Sequence, residues 1–123
     1  MYTLDTNAII YFLKDDPQAV SILRDVFEQD VPVYISAITE VELFGFPQLT
    51  DQEAEQIEAM IGSLAVIPVD SRIARTAGLI RRNYRINIAD SVVAATALFT
   101  GTTLFTRNLR DFRRIPGLSL HEI

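Results

Sequence analysis

The 123-residue sequence contains no cysteine, which removes disulfide frameworks, thiolate zinc sites and thiol redox chemistry from consideration. It has no apolar run approaching the roughly 18 residues that a membrane-crossing helix requires. Nor does a basic leader precede Met1-Tyr2-Thr3-Leu4-Asp5. A soluble cytoplasmic protein without a membrane partner is the expectation. The five prolines and five glycines are scattered as punctuation, and no repeat, low-complexity tract or Gly/Ser linker is present. Since 49% of the residues are hydrophobic, there is enough apolar material for one core, and residues 1–123 are expected to form a single domain. Histidine is nearly absent: His121 stands alone, two residues from the end, and is expected at the surface rather than in a metal shell or as a general base.

Basic residues are scarce in the first half and abundant in the second. Residues 1–70 hold 13 acids against Lys14 and Arg24, a balance of −11, whereas residues 71–123 hold three acids against nine arginines, a balance of +6. The overall charge of −5 therefore conceals a segment suited to polyanions, which bind through Lys and Arg that displace counterions. The arginines form two groups, Arg72, Arg75, Arg81, Arg82 and Arg85, then Arg107, Arg110, Arg113 and Arg114. On charge alone each group is either a solvated face or a phosphate-binding surface.

Short apolar runs alternate with helical stretches. Tyr2–Leu4, Val33–Ile35, Val66–Val69, Thr103–Phe105 and Leu118–Leu120 read as strands by length and composition. Between them, Ala19, Val20, Ile22, Leu23, Val26 and Phe27 make a helical stripe, and Thr50-Asp51-Gln52-Glu53 is a capping box opening a helix toward Leu64. Asp70 caps a helix from Ser71 to about Tyr84, and Ile88 to Thr100 is apolar nearly all round until Gly101 stops it, the pattern of a buried helix. Such alternation predicts βαβ units and a parallel sheet, whose ligand sites lie beyond the carboxyl ends of the strands.

Polar residues cluster at those ends. Asp5 follows the first strand directly, as either a helix cap or a functional carboxylate. Asp90 stands at the start of the buried helix, with Ala94 and Ala97 on its face letting another backbone approach; a carboxylate there needs a capped amide, an arginine or a metal beside it. Glu40 and Glu42 follow the second strand on a short helix ending near Gly45 and point to different faces, so only one can enter a shared pocket. Asn108 and Asp111 follow the fourth strand, as oxygen ligands or as Asx-turn residues. Carboxylates that converge repel and take up protons unless a hard cation neutralises them, and all-oxygen ligands select magnesium or manganese over zinc. Phosphodiester hydrolysis by a metal-activated water is the chemistry such a cluster suits.

Asp5-Thr6-Asn7, Ile35-Ser36-Ala37-Ile38-Thr39 leading to Glu42-Leu43, Asp90 with Ala94-Ala95-Thr96-Ala97, and Thr106-Arg107-Asn108 with Asp111-Phe112 and Ile115-Pro116-Gly117-Leu118 resemble the PIN-domain nucleases. Within that family the chain is similar to VapC-type toxins over its whole length. The resemblance implies an α/β fold with a five-stranded parallel sheet flanked by helices, an acidic magnesium site, endoribonuclease activity leaving 5′-phosphate and 3′-hydroxyl ends, and a cognate antitoxin as partner. It carries the first three acids over to Asp5, Glu42 and Asp90 and so selects Glu42 over Glu40. Many members have Asp at the position of Asn108, while others pair Asn there with an acid three residues on, as Asp111 is here; both are expected to complete or orient the shell. Thr6 and Asn7 are expected to shape the strand-to-helix turn.

Arg107 and Arg110 flank the expected site and are candidates for steering RNA phosphates, as are the earlier arginines if the fold brings them near. Tyr11, Phe12, Phe44 and Phe46 either pack in the core or line a groove for the antitoxin or for a homodimer partner. Two other functions fit the bulk features: an RNA-maturation nuclease without an antitoxin, and a magnesium-binding receiver-like signalling module. The second is disfavoured, since the first strand is followed by one acid rather than a pair and the only lysine is Lys14.

Overall fold

A computed structural model describes residues 1–123. The elements run β1 (Tyr2–Leu4), α1 (Thr6–Leu13), α2 (Pro17–Glu28), β2 (Val33–Ser36), α3 (Ala37–Phe44), α4 (Asp51–Ile61), β3 (Ala65–Ile67), α5 (Ser71–Tyr84), α6 (Ile88–Thr100), β4 (Thr103–Thr106), α7 (Leu109–Phe112) and β5 (Ser119–Glu122). The five strands form one sheet in the order β3-β2-β1-β4-β5, every pair parallel. The α/β class and parallel sheet expected from the alternation are present, with the five strands that the resemblance implies.

Parallel pairing forces each connection to cross a face of the sheet, and helices cover both. Side chains alternate across a strand, so Phe105 and Leu104 face opposite ways. Phe105 joins Leu4, Ile9, Leu23, Leu43 and Ile57 in a core beneath α1, α2 and α4. Leu104 joins Ile73, Ile80, Val93 and Phe112 in a second core beneath α5 and α6. Helix α6 is buried continuously from Ser91 to Ala97, as its unbroken apolar composition requires. Its end is set by Gly101, whose φ of 63° is the left-handed cap that glycine adopts without a Cβ clash.

Four strands differ in their bounds from the sequence reading: β2 and β4 each run one residue further, to Ser36 and Thr106, β3 begins one residue earlier at Ala65, and β3 and β5 also end differently. β3 stops at Ile67 instead of Val69 because Pro68 has no N–H to continue the ladder. β5 starts at Ser119 rather than Leu118 and runs on to Glu122, placing His121 opposite Phe105. An edge strand with one face exposed needs no apolar run, so composition carried little signal there. No helix is long and apolar enough to cross a membrane.

The strand order creates a switch point. From β1 the chain steps outward through β2 to β3, then returns to β4 on the other side of β1 and continues to β5. Connections leave β1 and β4 toward opposite sides, opening a crevice at their carboxyl ends. Asp5 follows β1 there, and Thr106 ends β4.

Candidate active site

Asp5 is both a helix cap and a member of the crevice. Its extended backbone (φ −78°, ψ 166°) turns the chain out of the sheet, and its Oδ1 accepts from the Ala8 amide at 2.8 Å, capping α1. Its Oδ2 accepts from the Thr106 hydroxyl at 2.5 Å, a bond tying the end of β1 to the end of β4. The residue is 4% exposed. Burial pushes its carboxyl up from the ordinary 3.8 to about 6, with the negative charges of Asp90 and Glu42 adding to the rise and the Thr106 and Ala8 hydrogen bonds opposing it.

Of the two glutamates on α3, Glu42 is the one turned to the crevice. The buried Thr6 donates its hydroxyl to Glu42 Oε1 at 2.6 Å and lies 3.1 Å from the hydroxyl of Thr39. Both Asp5 and Asp90 feel the charge of Glu42. Thr6 thus does more than shape the turn; it anchors a carboxylate from the neighbouring βα connection.

Asp90 occupies the third position of α6, where Asn87 caps the helix reciprocally. Asn87 Oδ1 accepts from the Asp90 amide at 2.8 Å, and Asn87 Nδ2 donates to Asp90 Oδ2 at 2.9 Å. From across the crevice, Asn108 Nδ2 donates to the same oxygen at 3.3 Å and to Asp111 Oδ2 at 3.1 Å. The Asn108 carbonyl oxygen meanwhile caps α7 by accepting from the Asp111 amide at 3.4 Å. The amide therefore presents its NH2 group, not its oxygen, to the acids. Burial raises the Asp90 pKa, and the charges of Glu42 and Asp111 raise it further, against the Asn87 and Asn108 hydrogen bonds. Asp111 also pairs with Arg114 at 3.3 Å.

Asp5, Glu42, Asp90, Asn108 and Asp111 thus come together at one edge of the sheet. No three acids converge tightly enough to chelate one ion as they stand, because each is turned onto a protein donor. The four carboxylates nonetheless fit a hard divalent cation: their donor atoms are all oxygen, and their like charges oppose ionisation in a way that a cation relieves. Glu42 Oε2 and Asp90 Oδ1 accept no hydrogen bond from the protein. His121 is exposed on β5, its ring edge-on to Phe105 at 4.7 Å, outside this cluster.

The sequence reading passed over the positioning roles of Thr6, Asn87 and Thr106. Asn87-Ile88-Ala89-Asp90 carries a legible signal, a cap residue three positions ahead of an acid in the manner of a capping box. Thr106 gives none, since its hydroxyl meets Asp5 only through strand pairing.

Arg107 does not face the crevice as a phosphate-steering group. Its guanidinium binds Asp16 at 2.5 Å and the Ile123 carbonyl at 2.7 Å, and it stacks over Tyr11 at 4.1 Å from the ring centroid. Arg72 likewise lies 4.6 Å over the Phe99 ring and pairs with Asp70 at 3.6 Å. Among the four aromatics, Tyr11 is covered by Arg107 and Phe12 packs edge-on against Phe27 at 5.9 Å, whereas Phe44 is exposed and Phe46 lines a cavity of about 160 Å3 with Ile10, Leu13, Leu43, Leu49 and Ile57.

Residues 2–118 match the PIN domain family. The chain is 28% identical to Ribonuclease VapC19 of Mycobacterium tuberculosis, covering 96% of this chain and 97% of that one. Among solved structures, DNA-bound VapBC from Salmonella typhimurium superposes with a TM-score of 0.85 at 29% identity, covering 98% of this chain and 96% of that one. A toxin-antitoxin complex from Klebsiella pneumoniae superposes with a TM-score of 0.80 at 26% identity over 100% of both chains.

Proposed function

This chain belongs to the PIN-domain family, and we propose that it is an endoribonuclease, the toxin of a toxin-antitoxin pair, that hydrolyses RNA phosphodiesters with magnesium or manganese. The observation that carries the reading is the meeting of acids from four separate elements at the switch point: Asp5 beyond β1, Glu42 on α3, Asp90 on α6 and Asp111 on α7. A relative named as a ribonuclease and neighbours solved as toxin-antitoxin complexes support the substrate and the partner.

Asp5, Glu42 and Asp90 would hold the cation, which when bound lowers the pKa of water and neutralises charge developing on the phosphate. Asp5 is the rigid member, fixed through both oxygens by Ala8 and Thr106. Glu42 is held at one oxygen by Thr6, leaving Oε2 free to turn toward the cation. Asn87 and Asn108 converge on a single oxygen of Asp90 and so aim the other outward. Asn108 serves as the hinge between Asp90 and Asp111, orienting both rather than supplying an oxygen of its own, and Asp111 completes the shell.

The cognate antitoxin would place an apolar side chain in the Phe46 cavity. A second copy of the chain would cover Val41, Leu79 and Ile88, which are 65%, 47% and 62% exposed on α3, α5 and α6. The site of action would be the cytoplasm, where its RNA is.

The test is sequencing of new 5′-phosphate ends after total cellular RNA is incubated with purified protein and manganese or chelator, beside an Asp90→Asn control. Discrete ends that require both metal and Asp90 are expected. Their absence, from folded protein free of antitoxin, overturns the reading.

A further inference from the structure

Beside the acidic cluster lies a strongly basic concavity. A pocket of about 470 Å3 is lined by Arg81, Arg82, Arg85, Ile86 and Asn87, where the end of α5 meets the start of α6. None of these arginines pairs with a carboxylate; the ion pairs of the chain involve Arg72, Arg107 and Arg114. Arg81 donates one Nη1 bond to the Ile86 carbonyl at 3.3 Å, which fixes the guanidinium at the pocket wall. Arginines in a last helical turn complement the helix dipole, which accounts for Arg81 and Arg82 without a ligand. It does not account for Arg85, which lies past the helix in the left-handed region at φ 55°, a cap position that glycine fills most readily.

Asn87 joins this pocket to the acids. The side chain that forms one wall of the pocket also donates to Asp90 Oδ2 and caps α6 beneath it. A polymer with one phosphate among the acids that continues past Asn87 would therefore meet the arginine-lined pocket. We infer that the Arg81, Arg82, Arg85 and Asn87 pocket is a binding site for an RNA backbone phosphate adjoining the scissile one. The assignment rests on the nuclease reading and adds the location of a substrate contact to it. An acidic protein segment would meet the same charges, but only the substrate of the proposed reaction must also reach the acids beyond Asn87.

The test compares the wild-type chain with Arg82→Ala/Arg85→Ala, two exposed positions, after thermal melts show both folded. With EDTA present, binding of a labelled single-stranded oligoribonucleotide is followed from 50 to 200 mM salt. The variant is expected to bind more weakly, with the slope of log affinity against log salt reduced by about 0.7, the value for one phosphate neutralised on a single strand. With manganese, kcat/KM should fall on the oligonucleotide but stay unchanged on a dinucleotide having one phosphodiester and nothing to reach the pocket. An unchanged salt slope, or equal losses on both substrates, overturns the inference while wild-type cleavage leaves the nuclease reading standing. Loss of poly-glutamate binding with RNA binding intact would make the pocket an acidic-protein site and overturn it too. Absence of RNA cleavage by the wild type overturns reading and inference together.

Discussion

Asp5 is held in a place that opposes its own charge, and this has a measurable signature. Its folded pKa of about 6 lies above the ordinary 3.8, so folded protein binds more protons than unfolded protein between those values. The associated stability is complete below pH 3.8 and is lost as the pH rises through about 6. The shift corresponds to about 3 kcal/mol. Asp5→Asn keeps an oxygen to cap α1 and removes the charge. Urea unfolding in chelator should therefore show the variant gaining on wild type by about 2 kcal/mol between pH 4 and pH 8; a gap that ignores pH would mean that Asp5 is not desolvated. Thr6→Val is isosteric and leaves Glu42 Oε1 without its donor. Turnover should fall at least tenfold, since a carboxylate released from a short hydrogen bond samples other rotamers, while the melting temperature moves little.

At the scale of elements, α6 carries the acid and Asn87 sets both its start and its aim. Asn87→Ala should cost about 1 kcal/mol of stability through the lost cap, and it should reduce turnover further because Asp90 Oδ2 loses a donor. Asn87→Ser separates the two effects: a hydroxyl restores the cap but cannot also donate across to the carboxylate. Stability recovered without activity is the expected outcome, and recovery of both would show that capping is all Asn87 does. This helix was legible in the sequence from end to end, because an unbroken apolar run closed by Gly101 admits few other arrangements. The four-residue α7 was not; Asn108 and Asp111 read equally well as Asx-turn residues, and only the cap geometry distinguishes them.

Across the whole molecule, the crevice depends on β1 and β4 lying side by side, and the acids it gathers come from positions 5 to 111 of the chain. A cation binding folded but not unfolded protein must then stabilise the fold as a whole. At 100 times its dissociation constant the gain is about 2.7 kcal/mol. Manganese should raise the melting temperature of the wild type and leave that of Asp5→Asn unmoved; an equal rise in both would place the ion elsewhere. Arg107 performs a different long-range task, fastening the chain end at Ile123 to Asp16 and Tyr11. Hydrogen exchange in β5 should accelerate in Arg107→Ala with no change in RNA affinity.

The sequence by itself determined the alternation of strands and helices, the buried α6, the basic second half and the acids following strand ends, because periodicity and composition are local properties. It also left Asp5 divided between cap and site, a division that geometry dissolves, since one carboxylate has two oxygens and uses one for each. Tertiary contacts alone show how Glu42 is held beside Asp90, which arginines are already engaged with Asp16, Asp70 and aromatic rings, and which remain open beside Asn87. The physical reason is range: a helix fixes neighbours three and four residues apart, whereas Thr6 meeting Glu42, or Thr106 meeting Asp5, exists only once parallel strands distant in sequence have paired.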